Sequence, residues 1–284
     1  VSVTENTTAV TDVNANDIDV PAQTLTYSIV GGADAALFTI VPGTGVLTFT
    51  APPDFEAPAD VGGNNVYDVR VRVSDGTLAT EQDIAVTVTN ANEAPTITSD
   101  GGGANASVSV AENGTAVTTV TATDVDVPTT MTYTIVGGAD QALFTIDGST
   151  GVLTFLTAPN FEAPIDAGGN NVYDVRVRAS DGTLFDEQDI AITVIDVNEA
   201  PVAVDDAAAV QEDVTLAASG DVLANDTDVD AADTRTVTAV NGVPANVAAA
   251  VAGAYGTVTI QANGAFVYTL NNAGVQALRA GQSV

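Results

Sequence analysis

Lysine, histidine, cysteine and tryptophan are absent from this 284-residue chain, and its six basic residues are all arginine. Against them stand 37 acidic residues, for a net charge of -31. Such a surface repels polyanions, which excludes nucleic acid and anionic membrane surfaces as partners. Without histidine or cysteine a zinc site lacks its usual ligands. Without histidine, cysteine or lysine most nucleophilic and acid–base chemistries lack their agents too. The missing cysteine also excludes a disulfide framework, and fits a large bacterial surface protein better than a eukaryotic secreted one. No run of about twenty apolar residues is present, so no helix is expected to enter a membrane. No signal peptide, anchor or starting methionine is visible, and the chain reads as a piece of something longer.

What remains is enough for a core. Hydrophobic residues make up 45% of the chain, with valine, threonine and isoleucine dominant in its patterned segments. That argues against disorder despite the charge. Internal repetition organises the rest. SVTENTTAV at Ser2–Val10 returns as SVAENGTAV at Ser109–Val117, and DIDVP at Asp17–Pro21 as DVDVP at Asp124–Pro128. GGNNVYDVRVR at Gly62–Arg72 recurs unchanged at Gly168–Arg178, and NANEAP at Asn90–Pro95 returns as DVNEAP at Asp196–Pro201. A period of 106 to 107 residues is a whole domain rather than a solenoid turn. The expected division is residues 1–92, clipped at its start, then 93–198, then a third segment, 199–284, that stops before its last strands.

Within a copy, Leu25, Tyr27 and Ile29 alternate with threonine and serine. So do Tyr67, Val69, Val71 and Val73 with Asp68, Arg70 and Arg72, and Ile84, Val86 and Val88 close the copy. Period-two patterns punctuated by Gly31-Gly32, Pro42-Gly43 and Asp75-Gly76 predict short half-buried strands. The fold class expected is all-β, as tandem β-sandwiches with Greek-key connections. In the third segment, Asn263-Gly264 between TVTIQ and AFVYTL predicts a hairpin.

The acids concentrate in turns. Glu5 and Glu112 follow the first strand as E-N; Asp17 with Asp19, and Asp124 with Asp126, form D-x-D pairs. Asp54 with Glu56, and Glu162, lie in PDFEAP and PNFEAP; Asp75 and Asp181 open S-D-G turns. Aspartate before glycine is ordinary turn chemistry, and one D-x-D pair is weak evidence. Five acidic signatures in register, all in turns, are much stronger.

These motifs resemble the cadherin repeat in its bacterial cadherin-like form, over residues 1 to about 198. The resemblance implies a seven-stranded sandwich that binds Ca2+ between consecutive repeats. For the first junction it implies Glu5, Asp54, Glu56, Asn90, Asn92 and Glu93 from the earlier repeat, with Asp124, Asp126 and Asp181 from the later one. For the second it implies Glu112, Glu162, Asp196, Asn198 and Glu199. The third segment, through VLANDTDVD and NGAFVYTL, resembles the VCBS repeat of large RTX-type surface adhesins. There Asp228 and Asp230, with Asp226 before them, stand in for the D-x-D pair. The family usually has aspartate where Asn90 and Asn160 stand, so each of these removes a charge. Calcium suits such a set: it takes about six to eight hard oxygens from irregular loops, whereas magnesium demands an octahedron and keeps its waters.

The function expected is a calcium-rigidified rod. It would act as spacer or fibre-forming adhesive segment of a large bacterial extracellular or cell-surface protein. Its partners would be adjacent repeats and further copies of itself in a fibre. A module for carbohydrate or homophilic binding is the alternative, although aromatics are only 5% of the chain and its strand tyrosines fall in core phase. A glycosidase needs a carboxylate pair in one cleft; duplicated turn acids do not supply one, so no enzyme is expected. Four N-x-S/T sequons, at Asn6, Asn105, Asn113 and Asn225, are attributed to the threonine content.

Overall fold

The computed structural model describes residues 1–19, 21, 23–126 and 130–271. In the first repeat, strands β1 (Ser2–Thr4), β2 (Ala9–Asp12), β3 (Thr26–Gly31), β4 (Phe38–Ile40), β5 (Val46–Phe49), β6 (Val66–Ser74) and β7 (Ala79–Thr89) form two sheets. One has the order β1-β7-β6-β3 and the other β2-β5-β4. β1 runs parallel to β7, and the other pairs are antiparallel.

The alternation read from sequence is the alternation of burial. Tyr67, Val69, Val71 and Val73 of β6 are buried, as are Ile84, Val86 and Val88 of β7. They meet Phe38, Leu47 and Phe49 from the facing sheet. Phe49 stands edge-on to Tyr67 at 5.1 Å between ring centroids, an arrangement the ring quadrupoles favour. On the outer face Arg70 and Asp83, opposite each other on β6 and β7, pair through two hydrogen bonds of 2.6 and 2.9 Å. Being exposed, that pair adds little to stability. Gly32 is required where β3 ends: φ is +103°, and a Cβ there would lie 2.4 Å from the Asp68 carbonyl oxygen. The turn lets Asp34 accept from the Val61 and Asp68 N–H groups, both at 2.8 Å.

The second repeat builds the same two sheets. It begins with β8 (Thr96–Ile97), β9 (Asn105–Ala111), β10 (Ala116–Thr119) and β11 (Ala122–Thr123). It continues with β12 (Thr132–Gly137), β13 (Phe144–Ile146), β14 (Val152–Phe155), β15 (Val172–Ser180) and β16 (Phe185–Ile195). The orders are β12-β15-β16-β9 and β10-β14-β13, with β8 and β11 as a separate short pair.

In the third segment the described strands β17 (Ala217–Asp221), β18 (Ala250–Ala252), β19 (Gly256–Ile260) and β20 (Ala265–Leu270) form one sheet, ordered β17-β20-β19-β18. The hairpin at Asn263-Gly264 forms, with Ile260 opposite Phe266. No second sheet faces this one among the described residues. Residues 199–216 contribute only isolated bridges, Val202 with Thr227 and Gln211 with Thr215. Alanine-rich runs such as Ala207–Ala209 offer little of the branched surface that strands pack with.

The described chain divides into two compact units. Of the described residues, one unit holds those within Val1–Val108, Ala116–Thr157 and Val172–Thr193; the other holds Ser109–Thr115, Ala158–Asn171 and those from Val194 onward. Neither is a single repeat, and each contains one of the two sets of acids expected from sequence to meet between repeats. Among the described residues no helix is long and apolar enough to cross a membrane.

Candidate metal centres

The first centre is built around Glu5. Its backbone N–H donates to the Thr89 carbonyl at 3.1 Å, which continues the β1–β7 pairing by one residue. That pairing turns the side chain inward, where it is 2% exposed. Its Oε2 accepts from the Phe55 N–H at 2.7 Å and its Oε1 from the Ala91 N–H at 2.8 Å. One carboxylate thereby gathers the end of β1, the D-F-E loop and the connector.

Two overlapping acidic groups result. In each, one oxygen per residue lies within 4.8 Å of the others: Glu5 with Asp54 and Glu56, and Glu56 with Glu93 and Asp126. The far side is tied in by hydrogen bonds. The Glu93 N–H donates to Asp126 Oδ2 at 2.7 Å, and the Asn92 amide to Asp181 Oδ2 at 2.6 Å. The D-x-D turn closes on itself, the Asp126 N–H reaching Asp124 Oδ1 at 3.0 Å.

Electrostatics separates the group. Burial, then the charges of Glu5 and Asp126, push the Glu93 carboxyl above the usual glutamate range, against the opposing amide of Asn6. Asp181 is held far below the aspartate range by the Asn92 amide and by the Thr183 and Leu184 N–H groups.

The second centre repeats this plan in the other unit. Glu112 is 4% exposed and accepts from the Phe161 and Val197 N–H groups at 2.8 and 2.9 Å. Glu112, Glu162, Asp196 and Glu199 form a single group within 4.8 Å. The Glu199 N–H donates to Asp230 Oδ2 at 2.7 Å, as Glu93 does to Asp126. The Asp230 N–H reaches Asp228 Oδ1 at 3.2 Å, so the Asp228–Asp230 pair has the turn of Asp124–Asp126. Loss of hydration and the neighbouring Asp230 push Asp196 up. Glu199 is raised by burial, partly offset by the Asn113 amide, and then further by Glu112.

Not every expected residue converges. Asn90 is exposed. Asp226 is engaged elsewhere, its Oδ1 accepting from the Val204 N–H at 2.8 Å. Asn198 donates to the Glu199 carbonyl at 2.9 Å. The two asparagine replacements prove to be complementary. Asn160 caps the Ala163 N–H as Asp54 caps Ala57, so the loop survives without its charge. The lost carboxylate is regained on the connector, where Asp196 stands at the position of Asn90. Each centre therefore keeps four near-side acids: Glu5, Asp54, Glu56 and Glu93, or Glu112, Glu162, Asp196 and Glu199.

Two features were not assigned from sequence. Asp17, Asp19 and Asp75 also lie within 4.8 Å of one another; their D-x-D and S-D-G motifs were the available signal. Asn6 and Asn113 donate to Glu93 and Glu199, and the recurring E-N motif pointed to the glutamate alone.

The donor set fits a hard cation. Glu93 Oε2, Asp124 Oδ2, Glu162 Oε2 and Glu199 Oε2 are buried oxygens with no protein partner. Buried oxygens of charged groups are costly unless something satisfies them. Every candidate ligand is oxygen, from carboxylate or amide, at loop positions free to differ in reach, which suits calcium.

Comparison with known proteins places this geometry. The family model described as the cadherin domain matches residues 1–89 and 106–198. The chain belongs to the cadherin family. The third segment, expected from its motifs to be VCBS-like, is matched instead by the bacterial cadherin-like domain over residues 198–282. Among curated relatives, protocadherin Fat 2 of Mus musculus is 32% identical over 183 residues, 62% of this chain. Halomucin of Haloquadratum walsbyi is 54% identical over 35 residues, 12% of the chain. The matches span only 4% of the former and 0%, to the nearest percent, of the latter.

Solved cadherin structures share the fold. Human CDH23 EC21-23 aligns with TM-score 0.54 at 19% identity, covering 95% of this chain and 87% of that one. Mouse protocadherin-24 EC1-3 aligns with TM-score 0.51 at 20% identity, covering 97% and 86%.

Proposed function

We propose that this cadherin-family chain is a calcium-rigidified segment of a large extracellular or cell-surface protein, serving as a stiff spacer or adhesive fibre unit. The bacterial cadherin-like match and the cysteine-free composition support a prokaryotic, bacterial-type parent. The observation that carries the reading is the set of buried, unpartnered carboxylate oxygens at both centres. Glu5, Asp54, Glu56, Glu93, Asp124 and Asp126 would hold calcium at the first centre. Glu112, Glu162, Asp196, Glu199 and the Asp228–Asp230 pair would hold it at the second.

The cation supplies positive charge that offsets carboxylate repulsion and crosslinks loops of successive repeats. The chain's own residues prepare for it: Glu5 and Glu112 organise the loops, and the connector N–H groups fix the D-x-D turns. Without the ion, repulsion loosens the connector. Adjacent repeats are the partners this requires, and lateral packing of further copies would extend it to a fibre.

The test is calcium titration by calorimetry, combined with small-angle scattering in calcium and in chelator. Micromolar-to-millimolar binding with a longer maximum dimension in calcium is expected. An unchanged maximum dimension would sink the spacer reading.

A further inference from the structure

Asn6 and Asn113 follow the two buried glutamates, and each joins three segments. Their backbones lie in the left-handed region, with φ of 60° and 62°, where asparagine is better tolerated than most residues. Their N–H groups donate to the Pro53 and Pro159 carbonyls, both at 3.0 Å, just ahead of the D-F-E and N-F-E loops. Their side chains reach the connector: Asn6 Nδ2 donates to Glu93 Oε1 at 2.6 Å, and Asn113 Nδ2 to Glu199 Oε1. An ionised carboxylate only accepts, so the amide must present its nitrogen. The second oxygen of each glutamate, Oε2, is one of the buried atoms without a protein partner.

We propose that Asn6 and Asn113 are positioning residues, each holding its connector glutamate by Oε1 so that Oε2 faces the cation site. This rests on the calcium reading above. A neutral donor suits the task. It satisfies one oxygen without bringing a positive charge that would compete with the cation, as arginine would, or a negative one that would add repulsion. Without it the glutamate turns to solvent when the ion is absent. Its ordering then falls on the binding step and weakens calcium by about 3- to 10-fold.

Two measurements on the full chain test this. In the chelated protein, the side-chain amide proton resonances of Asn6 and Asn113 are expected to shift in Glu93→Gln and Glu199→Gln respectively. Resonances that do not move overturn the contact. Calcium titration then compares the parent chain with Asn6→Gly and Asn113→Gly, which keep the left-handed backbone and its N–H bond but delete the amide. Each is expected to weaken the matching centre by about 3- to 10-fold. Asn6→Ala, which adds backbone strain, should lower the melting temperature more than Asn6→Gly does. Parental affinity in the glycine variants overturns the proposal and leaves the asparagines as turn formers. A parent chain that binds no calcium, with its amide shifts intact, overturns the calcium reading instead.

Discussion

Glu5 Oε1 accepts the Ala91 N–H at 2.8 Å, joining the first turn of a repeat to the connector that leaves it 86 residues later. The same carboxylate holds the Phe55 N–H through its other oxygen. It is therefore part of the fold before any ion arrives.

Glu5→Ala should accordingly destabilise the chelated chain, because two part-buried N–H donors lose their acceptor. A loss of about 2–4 kcal/mol is expected, from the cost of unsatisfied buried groups. Glu5→Gln should lose less, since its amide oxygen still accepts one bond. Thermal unfolding in chelator checks both.

Calcium should raise the melting temperature by mass action. At a free concentration of about 100 times Kd, one site adds about 2.7 kcal/mol. Magnesium at the same concentration should add less, given its stricter geometry. Differential scanning calorimetry with each ion decides it.

The pH response should invert with calcium. Glu93, Glu199 and Asp196 have folded values raised above their ordinary ones. A raised carboxyl stabilises the fold below its unfolded value, and that gain is lost as pH rises through its folded value. The chelated chain should therefore melt higher near pH 5 than at pH 7. Below the ordinary aspartate value of 3.8 the trend should reverse, because Asp181 and Asp75, held low by their hydrogen bonds, begin to lose their contribution. Saturating calcium favours ionised carboxylates, so the rise from pH 7 to 5 should become a fall.

Asn160→Asp restores a fifth near-side acid to the second centre. It should tighten calcium there by several-fold and destabilise the chelated chain, with the first centre unchanged. Asp230→Asn should weaken the second centre alone. Site-resolved titration by NMR separates the two.

Much of the fold was legible because the buried residues of β6 and β7 obey a strict two-residue period, from Tyr67 through Val73. The clustering of the turn acids was legible because they recur in register. Less could be read where spacing breaks. Asp228 and Asp230 were read as the counterparts of Asp124 and Asp126 from the shared D-V-D sequence, but the bond from the preceding connector glutamate N–H is a contact that residue identity does not encode. Asn6 was hidden for a related reason: its role depends on which way an amide points across 87 residues. What faces the sheet formed by the described residues of the third segment could not be read, because a clear hairpin says nothing about what packs against it.

The exchange of Asp54 and Asn90 for Asn160 and Asp196 has a consequence for how such a protein changes its length. Between the loop and connector positions lies GGNNVYDVRVR, identical in both copies and a natural place for unequal recombination. Deleting one repeat there would join the Asp54 loop to the Asp196 connector, leaving five acids: Glu5, Asp54, Glu56, Asp196 and Glu199. The reciprocal product would retain three: Glu112, Glu162 and Glu93. If the proposed calcium reading holds, gain or loss of a repeat would thus retune the calcium affinity of the seam it creates, so variants differing in length would also differ in the calcium concentration at which they stiffen.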